Sequence, residues 1–398
     1  MLQGKTVLLG VTGGIAAYKM PNVARMLKKL HCNVHVLMTQ NATNFITATT
    51  FETLTGNKCL IDTFDRNFEF SVEHVALAKQ ADLVLIAPAT ANVIGKIANG
   101  IADDMLTTTV MACTCKKLIA PAMNHNMYLN PIVQDNIEKL KKFNYEIIPP
   151  VVGMLANGDI GTGKLPSEEV LVEYVIRELA HEKDMAGMKV LVTAGPTQEA
   201  IDPVRYITNH STGKMGYALA KMAMLRGAEV TLVTGPTALE PPMFVNTVNV
   251  VSAKDMYDAV TSVAKEQDVI IKAAAVADYR PSQVSDEKIK KTDGEAAISL
   301  ERTDDILATL GKDKGKTFLC GFSMETEHML ENSKAKLKKK NVDMIVANNL
   351  KVAGAGFGTD TNVLTIITED DAKELALMSK EAAADEVLTA IMERRGLQ

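Results

Sequence analysis

The chain has 398 residues, 47% of them hydrophobic and 23% charged, with 25 Gly and 13 Pro. At ~150 residues per domain this is two or three domains with sizeable cores, which excludes a disordered, collagen-like or disulfide-stapled chain. Net charge is −5, divided as 17 basic and 18 acidic side chains over residues 1–184 and 26 and 30 over residues 185–398, so neither half has the basic excess of a nucleic-acid binder.

The chain opens on a short apolar strand, Thr6-Val7-Leu8-Leu9, that ends in Gly10-Val11-Thr12-Gly13-Gly14 and passes into a helical pattern. Further strands are expected over 34–39, over 83–87 after Asp82, and over 117–120, and a helix over 167–182. The opening then recurs at 187–197 (Gly-Met-Lys-Val-Leu-Val-Thr-Ala-Gly-Pro-Thr), followed again by a threonine-ended strand over 230–234 and a third over 268–273. Continuous Val/Ile/Leu strands alternating with helices mark a parallel sheet covered on both faces. The pattern therefore predicts two doubly wound, Rossmann-like α/β domains with a junction near 184: residues 1–184 and 185–398. The polar, glycine-ended stretch 285–294 is expected to be a mobile loop, and the cationic cluster 334–340 falls in a helical pattern. No apolar run approaches the ~20 residues that span a bilayer; no signal-peptide pattern follows the start, and a cytoplasmic location is expected. The five cysteines include no CxxC pair and read as ordinary reduced thiols.

In open parallel sheets, ligands sit beyond the carboxyl ends of the strands. In the first half those ends carry Gly13, Gly14 and Ile15; Thr39, Asn41 and Thr43; and Pro88, Ala89, Thr90 and Asn92. All are small, apolar or neutral donors, which suits a phosphate-tailed ring cofactor such as FMN lying against a helix N-terminus; the other reading is a purely structural glycine turn. NAD is disfavoured, because the G-x-G-x-x-G spacing and the ribose-binding acidic residue are missing. His74 reads either as a packed residue or as a catalytic one. Asn124 falls in a strand-end loop where an amide can hold a carboxylate.

Together, Thr-Gly-Gly-Ile-Ala-Ala-Tyr-Lys, His74, Pro88-Ala89-Thr90-Ala91-Asn92, Asn99-Gly100-Ile101-Ala102-Asp103-Asp104 and Pro121-Ala122-Met123-Asn124 resemble the flavin-dependent phosphopantothenoylcysteine decarboxylases. The resemblance covers nearly all of residues 1–180. It implies a flavodoxin-like fold, FMN, and an oxidative decarboxylation in which the substrate's cysteinyl thiol becomes a thioaldehyde, carbon dioxide leaves, and hydride returns to the enethiol. It makes His74 the active-site histidine and Asn124 the grip on the leaving carboxylate, and implies trimers with the flavin at a subunit interface.

The second half carries Arg205 and Asn209-His210-Ser211-Thr212-Gly213-Lys214-Met215-Gly216 before a helix. That is a candidate phosphate cradle, though not a P-loop, and a solvated turn is the alternative. Its third strand ends in Lys272-Ala273-Ala274-Ala275-Val276-Ala277-Asp278-Tyr279-Arg280-Pro281, with room for a flat base and a carboxylate for an exocyclic amine. Lys288, Lys290 and Lys291 on the polar loop can close over phosphates or form a solvated tip. These motifs, with Ala-Gly-Pro-Thr and Asp-Pro-Val-Arg, resemble the phosphopantothenate–cysteine ligases over 188 to about 370, so the whole chain resembles the bifunctional enzymes of coenzyme A biosynthesis. The resemblance implies CTP and magnesium: the carboxylate of 4′-phosphopantothenate attacks the α-phosphate, and the amine of cysteine displaces CMP from the acyl-cytidylate. It places Asn209 on the acyl-cytidylate with Arg205 beside it, Lys288 in the second step, and Lys272, Ala273, Ala274, Asp278, Lys288, Asp304, Asp305, Ile306, Leu307, Phe322, Lys336 and Lys340 around CTP; it names no magnesium ligand. It also implies a homo-oligomer of trimeric decarboxylase and dimeric ligase domains, up to a dodecamer, with small-molecule substrates and neither nucleic acid nor membrane as partner.

One position departs from the pattern. The stretch from Val152 to Lys164 aligns with the decarboxylases' substrate flap, where the family has Ala-Cys-Gly and its cysteine donates the last proton; here the position is Asn157. Either the proton comes from water or another side chain, or the final reductive step is slowed. A non-catalytic flavin- or nucleotide-binding regulatory protein is the alternative function, and the polar set of the second half argues against it.

Overall fold

The computed structural model describes residues 2–64, 73–154, 158, 160–290, 297–324, 329–348, 356 and 358–396. It divides into two compact units, 1–181 and 182–398.

The first unit is built on five parallel strands in the order Asn33–Met38, Thr6–Val11, Leu83–Ala89, Lys116–Pro121, Tyr145–Ile147. Thr6–Val11 and Leu83–Ala89 are buried along their whole lengths, as continuous apolar runs in a two-sided sheet must be. One face packs Leu8, Ile86 and Ile119 against Ile94, Leu106 and Ile137. The expected helix over 167–182 runs Glu168–Leu179, started by the Ser167 hydroxyl accepting from Val170 N–H at 3.4 Å. From the Thr6–Val11 strand the chain first adds Asn33–Met38 on one side, then crosses to Leu83–Ala89 on the other. The crevice of this unit therefore opens above Thr12 to Gly14 and Pro88 to Thr90.

The second unit repeats that winding around Lys189–Ala194. Its sheet runs Asn246–Asn249, Glu229–Thr234, Lys189–Ala194, Val269–Lys272, Phe318–Met324, Met344–Asn348, Leu364–Ile367, Ala372–Glu374. The first six are parallel; the last two, unannounced in the sequence pattern, return antiparallel. Leu191, Ile270, Leu319 and Ile345 face the helices Ala253–Val263, Ile306–Lys312 and Met329–Lys340. The helices Lys214–Leu225 and Lys380–Arg394 pack together, the former also against Lys189–Ala194. Among the described residues no helix is long and apolar enough to cross a membrane.

Candidate functional sites

At the first crevice, Thr12 ties the two central strand ends together: its buried hydroxyl donates to Pro88 O at 2.7 Å and accepts from Thr90 N–H at 3.1 Å. Thr90 in turn starts the helix Ala91–Ala98, its hydroxyl accepting from Val93 N–H. The two glycines below do different work. A Cβ on Gly13 would lie 2.5 Å from Asn41 Cβ and 3.0 Å from its carbonyl carbon, so close packing demands that glycine. Gly14 has an ordinary extended backbone (φ −136°), and a Cβ there would sit 3.7 Å from Thr90 Cγ2 and 4.0 Å from Pro88 Cγ. The fold leaves room for a Cβ at Gly14.

Gly13, Gly14, Ile15, Thr90, Met123 and Asn124 line a cavity of about 720 Å³, with Tyr18, Lys19, Met127, Met154 and Lys164 completing its wall. Such a volume suits a drug-sized or cofactor-sized ligand. Asn124 spends its Oδ1 on Asn126 N–H at 2.9 Å, which leaves its NH₂ as the group for a ligand anion. The strand Ile160–Lys164 is laid against this loop: Gly163 (φ +134°) brings its backbone so close that a Cβ would lie 2.3 Å from Met123 O, and His125 Nδ1 meets Thr162 N–H at 3.1 Å. The Thr39 hydroxyl is buried without a hydrogen-bond partner at the end of Asn33–Met38. An orphaned buried hydroxyl costs about 1–3 kcal/mol, so its presence fits a ligand group that completes it. Asn92 is exposed in the first turn of Ala91–Ala98, and Pro88 and Ala89 end the third strand. His74, half-buried on the helix Glu73–Gln80, is not among the side chains lining the cavity. Asn157 lies outside the described residues.

In the second unit, Asn209 Nδ2 donates to Ala275 O at 3.0 Å, and Ala275 N–H to Gly195 O at 3.0 Å, bringing three sequence motifs to the switch point of the sheet. Buried threonines brace that crossing: Thr193 and Thr197 accept from Ala274 and Ala277 N–H. Lys272 is drawn into one electrostatic cluster with Asp278, Asp305, Lys336 and Lys340; burial, then the neighbouring Lys340, lowers its pKa. Lys340 pairs with Asp305 at 2.9 Å; although burial opposes it, Ala308 N–H and Lys340 hold the Asp305 carboxyl below the usual range. Asp278 and Asp304 are exposed, as is the Lys288 side chain. Ala273 is half-buried and Ala274 buried. Ile306 and Leu307 are 2% and 6% exposed and belong to the apolar core, so only their backbone is left to meet a ligand.

Phe322 stands apart from the lysines. A Cβ on Gly321 would touch Leu307 and Ser323 bonds Ser333, so both face the Ile306–Lys312 and Met329–Lys340 helices; strand alternation turns Phe322 to the opposite face. The main residue missed from sequence is Asp202, whose enclosed carboxylate binds Arg205 and, 87 residues on, Ile289 N–H at 3.1 Å. Nothing local marks it beyond its place in Asp-Pro-Val-Arg. The expected mobile loop is thus pinned within its described part, 285–290.

Two family descriptions match the chain: Flavoprotein over residues 1–180 and DNA/pantothenate metabolism flavoprotein C-terminal domain over 185–394. The coenzyme A biosynthesis bifunctional protein CoaBC of Bacillus subtilis (strain 168) is 47% identical over 98% of this chain and 97% of its own length. The chain belongs to the bifunctional coenzyme A biosynthesis family. The CoaBC protein of Vibrio vulnificus (strain YJ016) is 44% identical over 99% of both chains. A crystal structure of the C-terminal domain of a CoaBC protein, 51% identical, covers 52% of this chain and 97% of that one at a TM-score of 0.46. The protein is accordingly a flavoprotein and a bifunctional enzyme, a decarboxylase and a ligase.

Proposed function

We propose that residues 185–398 join cysteine to 4′-phosphopantothenate at the expense of CTP, and that residues 1–184 decarboxylate the product with FMN to give 4′-phosphopantetheine, in the cytoplasm. The observation that carries the flavin assignment is the side-chain-free backbone at Gly14 in the wall of the cavity, where the fold itself leaves room for a Cβ. Gly13, Gly14 and Ile15 hold the phosphate end, and Thr39, Pro88, Ala89, Thr90 and Asn92 surround the rest. FMN, when bound, supplies the thiol oxidation that makes carbon dioxide loss feasible and the reduction that follows. The Asn124 NH₂ orients the departing carboxylate; Met154 and Lys164 close the substrate side of the cavity. His74 lies outside the cavity of its own chain, which fits a site completed across a homo-oligomer interface.

Thr39→Val tests the cradle. Without ligand the valine removes an orphaned hydroxyl, so the apo unit should be as stable or more stable; with FMN it loses one hydrogen bond, worth about 0.5–1.5 kcal/mol or roughly 2–10-fold in affinity. Thermal denaturation with and without FMN reads both, and unchanged flavin affinity removes Thr39 from the site.

In the ligase, the cluster of Lys272, Lys336 and Lys340 takes a magnesium-chelated triphosphate, offsetting charge as the α-phosphate is attacked and pyrophosphate leaves. Among the described residues no group of three or more His, Cys, Asp or Glu could hold a metal; magnesium held chiefly by substrate phosphates needs none. Asn209 retains the acyl-cytidylate and Lys288 serves the attack of the cysteine amine. Asn209→Asp, setting a carboxylate against an anionic intermediate, and Lys288→Gln should both slow cysteine adduct formation, while Lys288→Gln still releases a burst of pyrophosphate. Unchanged ligation in both variants rules out the assignment.

A further inference from the structure

The Asp202 side chain is fully enclosed. Its Oδ1 accepts from Val204 and Arg205 N–H, each at 2.9 Å. Its Oδ2 accepts from Arg205 Nε at 3.0 Å and Ile289 N–H at 3.1 Å, and pairs with Arg205 Nη2. Arg205 Nη2 also donates to Ile289 O at 3.0 Å. One ion pair thus holds both polar groups of the residue directly after Lys288. A second tie, Ser285 N–H to Ile201 O at 3.1 Å, fixes the loop ahead of it. Residues 286–290 are exposed, so polar bonds and not buried apolar area hold this loop in place.

We propose that Asp202 is a positioning residue of the ligase reaction: with Arg205 it clasps the Ile289 peptide and so sets where Lys288 stands. The inference rests on the reading of Lys288 as the lysine of the cysteine-transfer step. A carboxylate is required because every group pointing at it is a donor; an amide would turn a donor onto one pair of them. Arg205 above all, against burial and with the Val204, Ile289 and Arg205 amides, holds the Asp202 carboxyl far below the usual range. A depressed carboxyl stabilises above its unfolded value, ~3.9, and loses that contribution only as pH falls toward the folded one; the clasp therefore stays shut at neutral and mildly acidic pH.

The test uses the full chain with Asp202→Asn, Arg205→Lys, Lys288→Gln and the Asp202→Asn/Lys288→Gln double variant. Hydrogen exchange of peptides covering 285–290 should quicken in Asp202→Asn. It should quicken too in Arg205→Lys, since an ammonium cannot bridge Asp202 and Ile289 as the planar fork does. In Asp202→Asn the cysteine adduct should form about tenfold more slowly, with the pyrophosphate burst retained, and the double variant should match Lys288→Gln alone, because both changes remove one function. Unchanged exchange, or adduct losses that multiply in the double variant, overturns the inference. A normal adduct rate in Lys288→Gln, with the loop still loosened by Asp202→Asn, overturns the reading of Lys288 instead.

Discussion

Gly14→Val should yield a folded, colourless protein that still ligates. The backbone at Gly14 is extended, and a Cβ meets Thr90 Cγ2 and Pro88 Cγ at ordinary contact distances, so valine costs the fold little. Its two methyl groups, however, enter the cavity where the phosphate end of FMN would approach the main chain. Losing that approach should weaken FMN by about 100-fold or more, about 2.7 kcal/mol. Gly13→Ala makes the contrast: its methyl collides with Asn41, so it should lower the melting temperature of the first unit whether or not flavin is present. Flavin absorbance per protein and the ligase rate are the two readouts. A fully yellow Gly14→Val protein would show that the phosphate lies elsewhere.

The second large effect is expected at Asn157. An amide offers only non-acidic N–H donors, whereas a thiol of pKa ~8.5 releases a proton near neutral pH. A placed general acid typically contributes ~10²–10⁴-fold. Asn157→Cys should therefore speed formation of 4′-phosphopantetheine by at least about tenfold, while the unaltered protein releases carbon dioxide faster than it completes product. The strands Val151–Met154 and Ile160–Lys164 contribute Met154 and Lys164 to the cavity wall. Equal full-turnover rates for the two forms would mean that the proton comes from another source.

What could be read from the residues was whatever short stretches carry by themselves. The strands Thr6–Val11 and Leu83–Ala89 are unbroken apolar runs, and the order in which strands and helices alternate implies the winding and hence the crevice. The Gly13-Gly14 turn was legible, but only the approach of Asn41 shows that the fold needs a glycine at 13 and leaves room for a Cβ at 14. The antiparallel strands Leu364–Ile367 and Ala372–Glu374 were not legible, since their pairing depends on Met344–Asn348 already being in place. Phe322 read as one of a set of nucleotide contacts; that it faces away from Lys272, Lys336 and Lys340 depends on which neighbours its strand finds. The role of Asp202 within Asp-Pro-Val-Arg was not legible for the same reason, its loop partner being 87 residues distant.

The proposed function puts both reactions, in sequence, on one chain. The direct measurement is to incubate the yellow holoprotein with 4′-phosphopantothenate, cysteine, CTP and magnesium, and to follow products by mass spectrometry, with FMN loading recorded. CMP and pyrophosphate should appear in step with a cysteine adduct, followed by loss of carbon dioxide from that adduct. The decarboxylated material should pass slowly to 4′-phosphopantetheine in the protein as it stands and quickly in Asn157→Cys. No CTP-dependent adduct from the flavin-loaded protein, or an adduct that never loses carbon dioxide in either form, would contradict the proposed function.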